Sequence, residues 1–271
     1  MAPVDPYLIL EAAAVLAFLG VLIWRTKVLD LEGTVAALAV GAAVYLTIGR
    51  GGVVVLLIFL AVSAVFTRIG YERKRALGAA ELKGGVRGWR NVLGNGSVAA
   101  GAAILYHIDP ARSHVYSVAM VCSVAAVFAD TLATEVGLLS RGKVLSIVGF
   151  REVRPGEPGG VTLYGYGGAA LAGFLTWTVY AFGFPNPLHP FKLLVATMLS
   201  AIAGTTVDSV VGQLLQGRYR CSACNTVVEH PEHCGQTAVH VSGLKFVDNH
   251  VVNAICALTG AVVGVAYFLA A

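Results

Sequence analysis

The stretch Phe128 to Gly137 reads F-A-D-T-L-A-T-E-V-G and closes an apolar run that starts near Val115. It brings two carboxylates and two hydroxyls to the end of a segment otherwise suited to lipid. Ionisable groups at such a place are costly to bury and mark an ion or substrate site. On a helix Asp130 and Thr134 stack one turn apart, as do Thr131 and Glu135, giving two columns of oxygen. That patch suits Mg²⁺, a hard cation that takes one or two carboxylates and shares its other positions with phosphate and water. The plainer alternative is a polar helix end that meets lipid headgroups.

Other polar groups recur at helix ends. L-K-G-G-V-R-G-W-R-N-V-L-G-N-G offers Lys83, Arg87, Arg90, Asn91 and Asn95 among glycines. Arg87, Asn91 and Asn95 are spaced to line one helical face. A basic, glycine-bearing helix start suits phosphate, because free backbone N–H groups add to the side-chain donors. It is no Walker loop, and an anchor on anionic lipid is the competing reading. P-G-E-P-G-G-V-T supplies Gly159, Gly160 and Thr162 at a helix start, either for a phosphate or for a simple turn. A-G-T-T-V-D-S-V-V-G-Q carries Asp208 and Ser209, echoing Asp130 and Thr131, with Gln213 standing where Glu135 would. V-D-N-H-V-V-N brings Asp248, Asn249 and Asn253 to the start of the last apolar run, where Asp248 also reads as an N-cap.

A separate cluster lies in R-Y-R-C-S-A-C-N-T-V-V-E-H-P-E-H-C-G. Cys221 and Cys224 have knuckle spacing, and His233 and Cys234 follow. Thiolates and imidazole in this pattern fit tetrahedral Zn²⁺, with His230 an alternative fourth ligand and His240 a distant one. With no open coordination position in sight, the zinc reads as structural. A disulfide is disfavoured on a cytoplasmic side.

The elements that must hold these groups are membrane helices. Of 271 residues 57% are hydrophobic and 13% charged, and the mean hydropathy is +0.76. Soluble domains carry about twice that charge fraction. The 32 glycines suit close helix packing in lipid. Eight candidate spans fall at 7–24, 34–49, 51–69, 92–106, 114–138, 161–182, 191–215 and 250–270. No cleavable signal is expected, since Met1 to Pro6 lacks a basic region. The expected fold is an all-α polytopic bundle, one domain over 1–271, with a cytoplasmic zinc-binding insertion at 216–249.

Loop charge sets the orientation. With the N-terminus outside, sixteen of the 19 Lys and Arg fall on the inner side, and only Arg50, Arg112 and Lys192 fall outside. Both termini are then outside, and the polar helix ends face the cytoplasm. The net charge of +4 is explained by basic membrane loops and needs no nucleic acid.

A-D-T-L-A-T-E-V-G, the G-G-V-T turn, the D-S pair, the cysteine loop and D-N-H-V-V-N together resemble one integral membrane family. It was long classed as of unknown function and includes the plant and cyanobacterial phytyl-phosphate kinase. It is distantly similar to dolichol kinase and phosphatidate cytidylyltransferase. The likeness runs from about Gly33 to the C-terminus. It implies phosphoryl transfer from CTP to an isoprenoid monophosphate within the membrane, with Asp130, Glu135 and Asp208 at Mg²⁺ and Arg87, Arg90, Asn91 and Asn95 at phosphates. Asn249 and Asn253 fall in the family's asparagine-rich start of the last span, where this chain has Asp248 first. Its N-V-L-G-N-G stands where the family has a Q-V-L-A-N-G-like string.

This chemistry asks for positioning and charge neutralisation more than covalent catalysis. A phosphate monoester acceptor is nucleophilic near neutral pH, so no strong general base is required. Two rivals stand beside it. A cytidylyltransferase would use the same parts and release diphosphate. A transporter would place polar groups near mid-membrane in broken helices, for which only the glycines of the fourth span argue. The sequence leaves association with further copies of the chain open.

Overall fold

The computed structural model describes residues 6–183 and 189–271, without the side chains of Leu82 and Lys83. The helices are α1 (Pro6–Arg25), α2 (Leu31–Thr47), α3 (Arg50–Arg68), α4 (Tyr71–Ala76), α5 (Leu82–Gly85), α6 (Trp89–Ile108), α7 (Ser113–Leu139), α8 (Leu163–Gly183), α9 (Pro190–Leu214) and α10 (Asn249–Ala270). Among the described residues, eight of these are long, running from 17 residues in α2 to 27 in α7. They coincide with the eight candidate spans to within a few residues. Helices α1, α3, α7, α9 and α10 are long and apolar enough to cross a membrane. α2 is apolar but shorter, and α6 and α8 are diluted by glycine and polar residues. The connection at Phe184 to Leu188 lies outside the described residues.

Helix α7 is the hub. From Ser117 to Ala129 all but Ala119 of its residues are buried, as a helix apolar on every face requires. Helices α6, α8, α9, α10 and part of α3 surround it. Small residues let the backbones meet. A Cβ on Gly204 of α9 would stand 2.5 Å from the Ala126 Cβ, and one on Gly260 of α10 would stand 2.6 Å from the Cys122 carbonyl oxygen. In lipid, where tail–tail contact gains nothing, such close packing is what drives helix association.

Several basic residues that read as loop charge instead tie helix ends together. Arg73 donates to the Leu139 and Ser140 carbonyls, each at 2.8 Å, and Arg218 donates to the Gln213 carbonyl at 2.9 Å. Terminal carbonyls of α7 and α9 are thereby satisfied. The α2–α3 turn needs Gly49, whose φ is +98°. The end opposite the polar helix ends is less bare than its sequence suggests, because Tyr45 and Arg50 both reach Glu11 at 2.6 Å.

Two irregular segments carry short strands. β1 (Leu145–Ser146) pairs with β2 (Gly160–Val161) between α7 and α8. Between α9 and α10, β3 (Arg218–Arg220) lies between β4 (Val227–Val228) and β7 (Val239–Ser242), and β5 (Glu232–His233) pairs with β6 (Gln236–Thr237). The expected helical fold holds for most of the chain, and these small sheets are confined to the segments between helices.

Candidate functional site

The close approach of α7 and α9 decides where the carboxylates fall. Ala126 touches Gly204, and both helices run in the same direction. One turn further on, each helix presents an aspartate, Asp130 and Asp208. Their carboxyl groups lie within hydrogen-bonding reach of each other, and the Arg87 charge acts on Asp130. Among the described residues, Asp208 Oδ1 is buried with no hydrogen-bond partner. Buried polar atoms are normally satisfied, so this oxygen is open to a cation. The thiol of Cys256 on α10 faces the same pair, and buried Asn253 lies one turn towards the polar end.

Glu135 has other partners. Its Oε2 lies 2.6 Å from the Lys74 ammonium, and its Oε1 accepts from Thr67 at 2.6 Å. Lys74 also donates to the Phe66 carbonyl at 2.6 Å. Both carboxylate oxygens are engaged, so Glu135 is held with α3 and α4 rather than turned to Asp130. Neither Lys74 nor Thr67 announces this role in sequence: one reads as loop charge, the other as the end of an apolar span. Thr131 and Thr134 continue the helix face, half-buried and exposed respectively.

Arg87 precedes α6 instead of sitting on it, which corrects the three-residue helical face. Its N–H donates to the Val28 carbonyl at 3.1 Å, and its carbonyl accepts from Asp30 at 3.0 Å. This strand-like bridge aims the guanidinium inward, to Glu81 at 3.3 Å and Thr67 at 3.4 Å. Asn91 and Asn95 do share one face of α6. The Asn95 amide donates to the Asn91 carbonyl at 2.8 Å and to its side-chain oxygen at 3.2 Å. The Lys83 side chain lies outside the described residues.

Asp248 caps α10. Its Oδ1 accepts from His250 and Val251 at 3.0 Å each, and its Oδ2 accepts from Arg90 at 2.5 Å. Cap and ion pair join α6 to α10, which also meet where Gly94 faces the His250 carbonyl. Asn249 follows, half-buried. Gly159, with φ of +75°, packs on the Gln213 side chain, and Gly160 donates to the Glu157 carbonyl at 2.9 Å. Thr162 accepts from Gly165 at 2.9 Å. These groups build a turn that Gln213 fastens through Ser146 at 2.7 Å. Ser209 is half-buried beside Asp208.

The cysteine loop forms a cluster. The ligand atoms of Cys221, Cys224, His233 and Cys234 all lie within 4.8 Å of one another, and could hold a metal ion. Backbone N–H of Cys224 draws the Cys221 thiol below its ordinary pKa, and the Thr226 hydroxyl does the same for Cys224. Cys234, facing Cys224, is pushed up to about 11. Of the candidate fourth ligands, His233 is in the cluster. His230 is not among the ligand atoms gathered there, and its charge acts on Glu229 and His250. Glu229 is a residue the sequence did not single out. Burial pushes its carboxyl up, and it lies close enough for its charge to act on Asp208.

The chain is 28% identical to the Protein PGR of Arabidopsis thaliana over 87% of each chain. It is 30% identical to the uncharacterized membrane protein sll0875 of Synechocystis over 71% of this chain and 74% of that one. To the chloroplastic Protein VTE6 of Arabidopsis thaliana it is 24% identical, over 88% of this chain and 64% of the relative. No solved structure matches. The family model described as integral membrane protein DUF92 matches residues 14–261, and the chain belongs to that family.

Proposed function

We propose that the chain transfers a phosphoryl group from CTP to an isoprenoid monophosphate, giving the diphosphate, at the cytoplasmic face of a membrane that all eight long helices span. The observation that carries the reading is the Asp130–Asp208 pair with its unpartnered buried oxygen. Two carboxylates and a nearby arginine match what phosphoryl transfer asks of a protein. Mg²⁺ held by Asp130 and Asp208 would neutralise charge on the triphosphate. Arg87, Arg90, Asn91 and Asn95 hold phosphate oxygens, with Asn249 and Asn253 closing the site from α10. Lys83, Thr131, Thr134, Ser209, Gly159, Gly160 and Asp248 border the nucleotide. The sequence pattern places Glu135 among the metal ligands, whereas its pairing with Lys74 favours a positioning role.

The cysteine cluster holds structural Zn²⁺, whose ~2.3 Å bonds to sulfur fit ligand atoms gathered this closely. It folds 216–249 over the site. Membership of a family with a VTE6 relative supports a prenyl-phosphate substrate. The gathering of polar groups at one end of the bundle disfavours transport.

The test is to incubate purified protein with Mg²⁺, labelled CTP and a panel of prenyl monophosphates. CDP and a prenyl diphosphate support the reading. Diphosphate with a CDP-lipid would assign a cytidylyltransferase instead.

A further inference from the structure

Helices α2 and α6 pack along each other, whereas α3 leans on α7 and α8. The separation leaves a groove between α1, α2, α3 and α6. Its walls include Leu16, Ala37, Leu57 and Leu60, and its inner end is formed by Arg87, Asn91 and Asn95. The groove is therefore apolar along its length and polar at one end, where two amides stand beside Arg87, whose guanidinium also pairs with Glu81 at 3.3 Å. Thr67 touches Arg87, and Val53 lines the groove fourteen residues earlier on α3, so the groove runs about 20 Å along the helix axis. A second apolar hollow, lined by Phe174, Phe191 and Met198, has no polar residue in its lining and nothing to hold a headgroup.

We infer that the groove between α1, α2, α3 and α6 binds the isoprenyl chain of the acceptor, with its phosphate at Arg87, Asn91 and Asn95. The inference rests on the reading above and gives it an acceptor site. One occupant fits both ends: a single apolar chain bearing a terminal phosphate. Arg87 links the two halves, since it lies in the groove and its charge also acts on Asp130. The phosphate would thus sit on the near side of Arg87, and the metal-bearing carboxylates on the far side. A tail already dissolved in lipid gains no transfer energy on entering the groove. What the groove supplies is depth and orientation, which convert a membrane encounter into an aligned one. This assigns a role to α1, α2 and α3.

The test uses the full-length protein in nanodiscs. Leu57→Cys and, separately, Leu60→Cys are labelled with an apolar maleimide, and modification at each position is read by mass spectrometry. Geranylgeranyl monophosphate at about ten times its dissociation constant, without CTP, should slow labelling about tenfold. Inorganic phosphate should not, and Leu199→Cys on the other hollow should be unprotected. Leu56→Trp, eleven residues from Thr67 on α3 and so about 16 Å from the polar end, should raise the KM for geranylgeranyl monophosphate about tenfold or more, with a smaller effect on that for geranyl monophosphate and none on that for CTP. Turnover of prenyl monophosphates with no protection at either cysteine overturns the groove and leaves the kinase reading standing. Protection without any transfer from CTP upholds the groove and removes the kinase reading.

Discussion

The Lys74 ammonium lies 2.6 Å from the Glu135 carboxylate, with only 1% and 7% of the two side chains exposed. An ion pair this dry is held by its extra hydrogen bonds, to Thr67 and the Phe66 carbonyl. Removing one partner strands the other charge at a cost of about 3–5 kcal/mol. Glu135→Leu and Lys74→Met should each lower thermal stability sharply, measured by melting of the detergent-solubilised protein. The double variant Lys74→Met/Glu135→Leu should recover most of the loss. Additive losses in that cycle would mean the two residues act independently.

Asp130→Asn and Asp208→Asn keep size and shape but remove charge from the proposed cation site. Each should lower CTP-dependent turnover about 100-fold or more, with elution and melting close to the parent protein. Rising Mg²⁺ should not restore either. Parental turnover in both variants is the outcome that removes the metal role.

Asp248→Ala deletes the α10 cap and the Arg90 pair together. A lost cap costs about 1 kcal/mol, and the exposed pair adds little. Asp248→Asn retains the capping oxygen and should keep most of the stability. If its effect on KM for CTP matches that of Arg90→Gln, the ion pair serves the site and not just the helix.

Cys221→Ser should abolish bound zinc, measured by elemental analysis, and open residues 216–249 to protease while α1 to α8 stay protected. His230→Ala should retain the metal, because His230 lies outside the cluster. Loss of zinc from His230→Ala with retention in His233→Ala would reverse the ligand assignment.

Gly260→Ala sets a methyl group 2.6 Å from the Cys122 carbonyl oxygen, a backbone atom that cannot step aside. Overpacking of this kind costs about 1–3 kcal/mol. Because it also pushes α10 off α7 one turn from Cys256, turnover should fall together with melting temperature. Gly101→Ala, with open space around it, should leave both unchanged.

The sequence by itself determined where the long helices run, since apolar length and loop charge are local properties. It also marked Asp130, Asp208 and the cysteine spacing, because an acid in an apolar run and paired thiols are unusual wherever they fold. Tertiary structure decided the partnerships. Asp130 meets Asp208 because Gly204 lets α9 close on Ala126 one turn earlier, a contact between residues far apart in the chain. Glu135 went to Lys74, and Arg87 left its helix for a bridge to Val28 and Asp30, because each needed partners that only a distant segment could bring. The groove was invisible for the same reason: its apolar walls look like any lipid-facing helix until α3 is seen to lean away from α2 and α6.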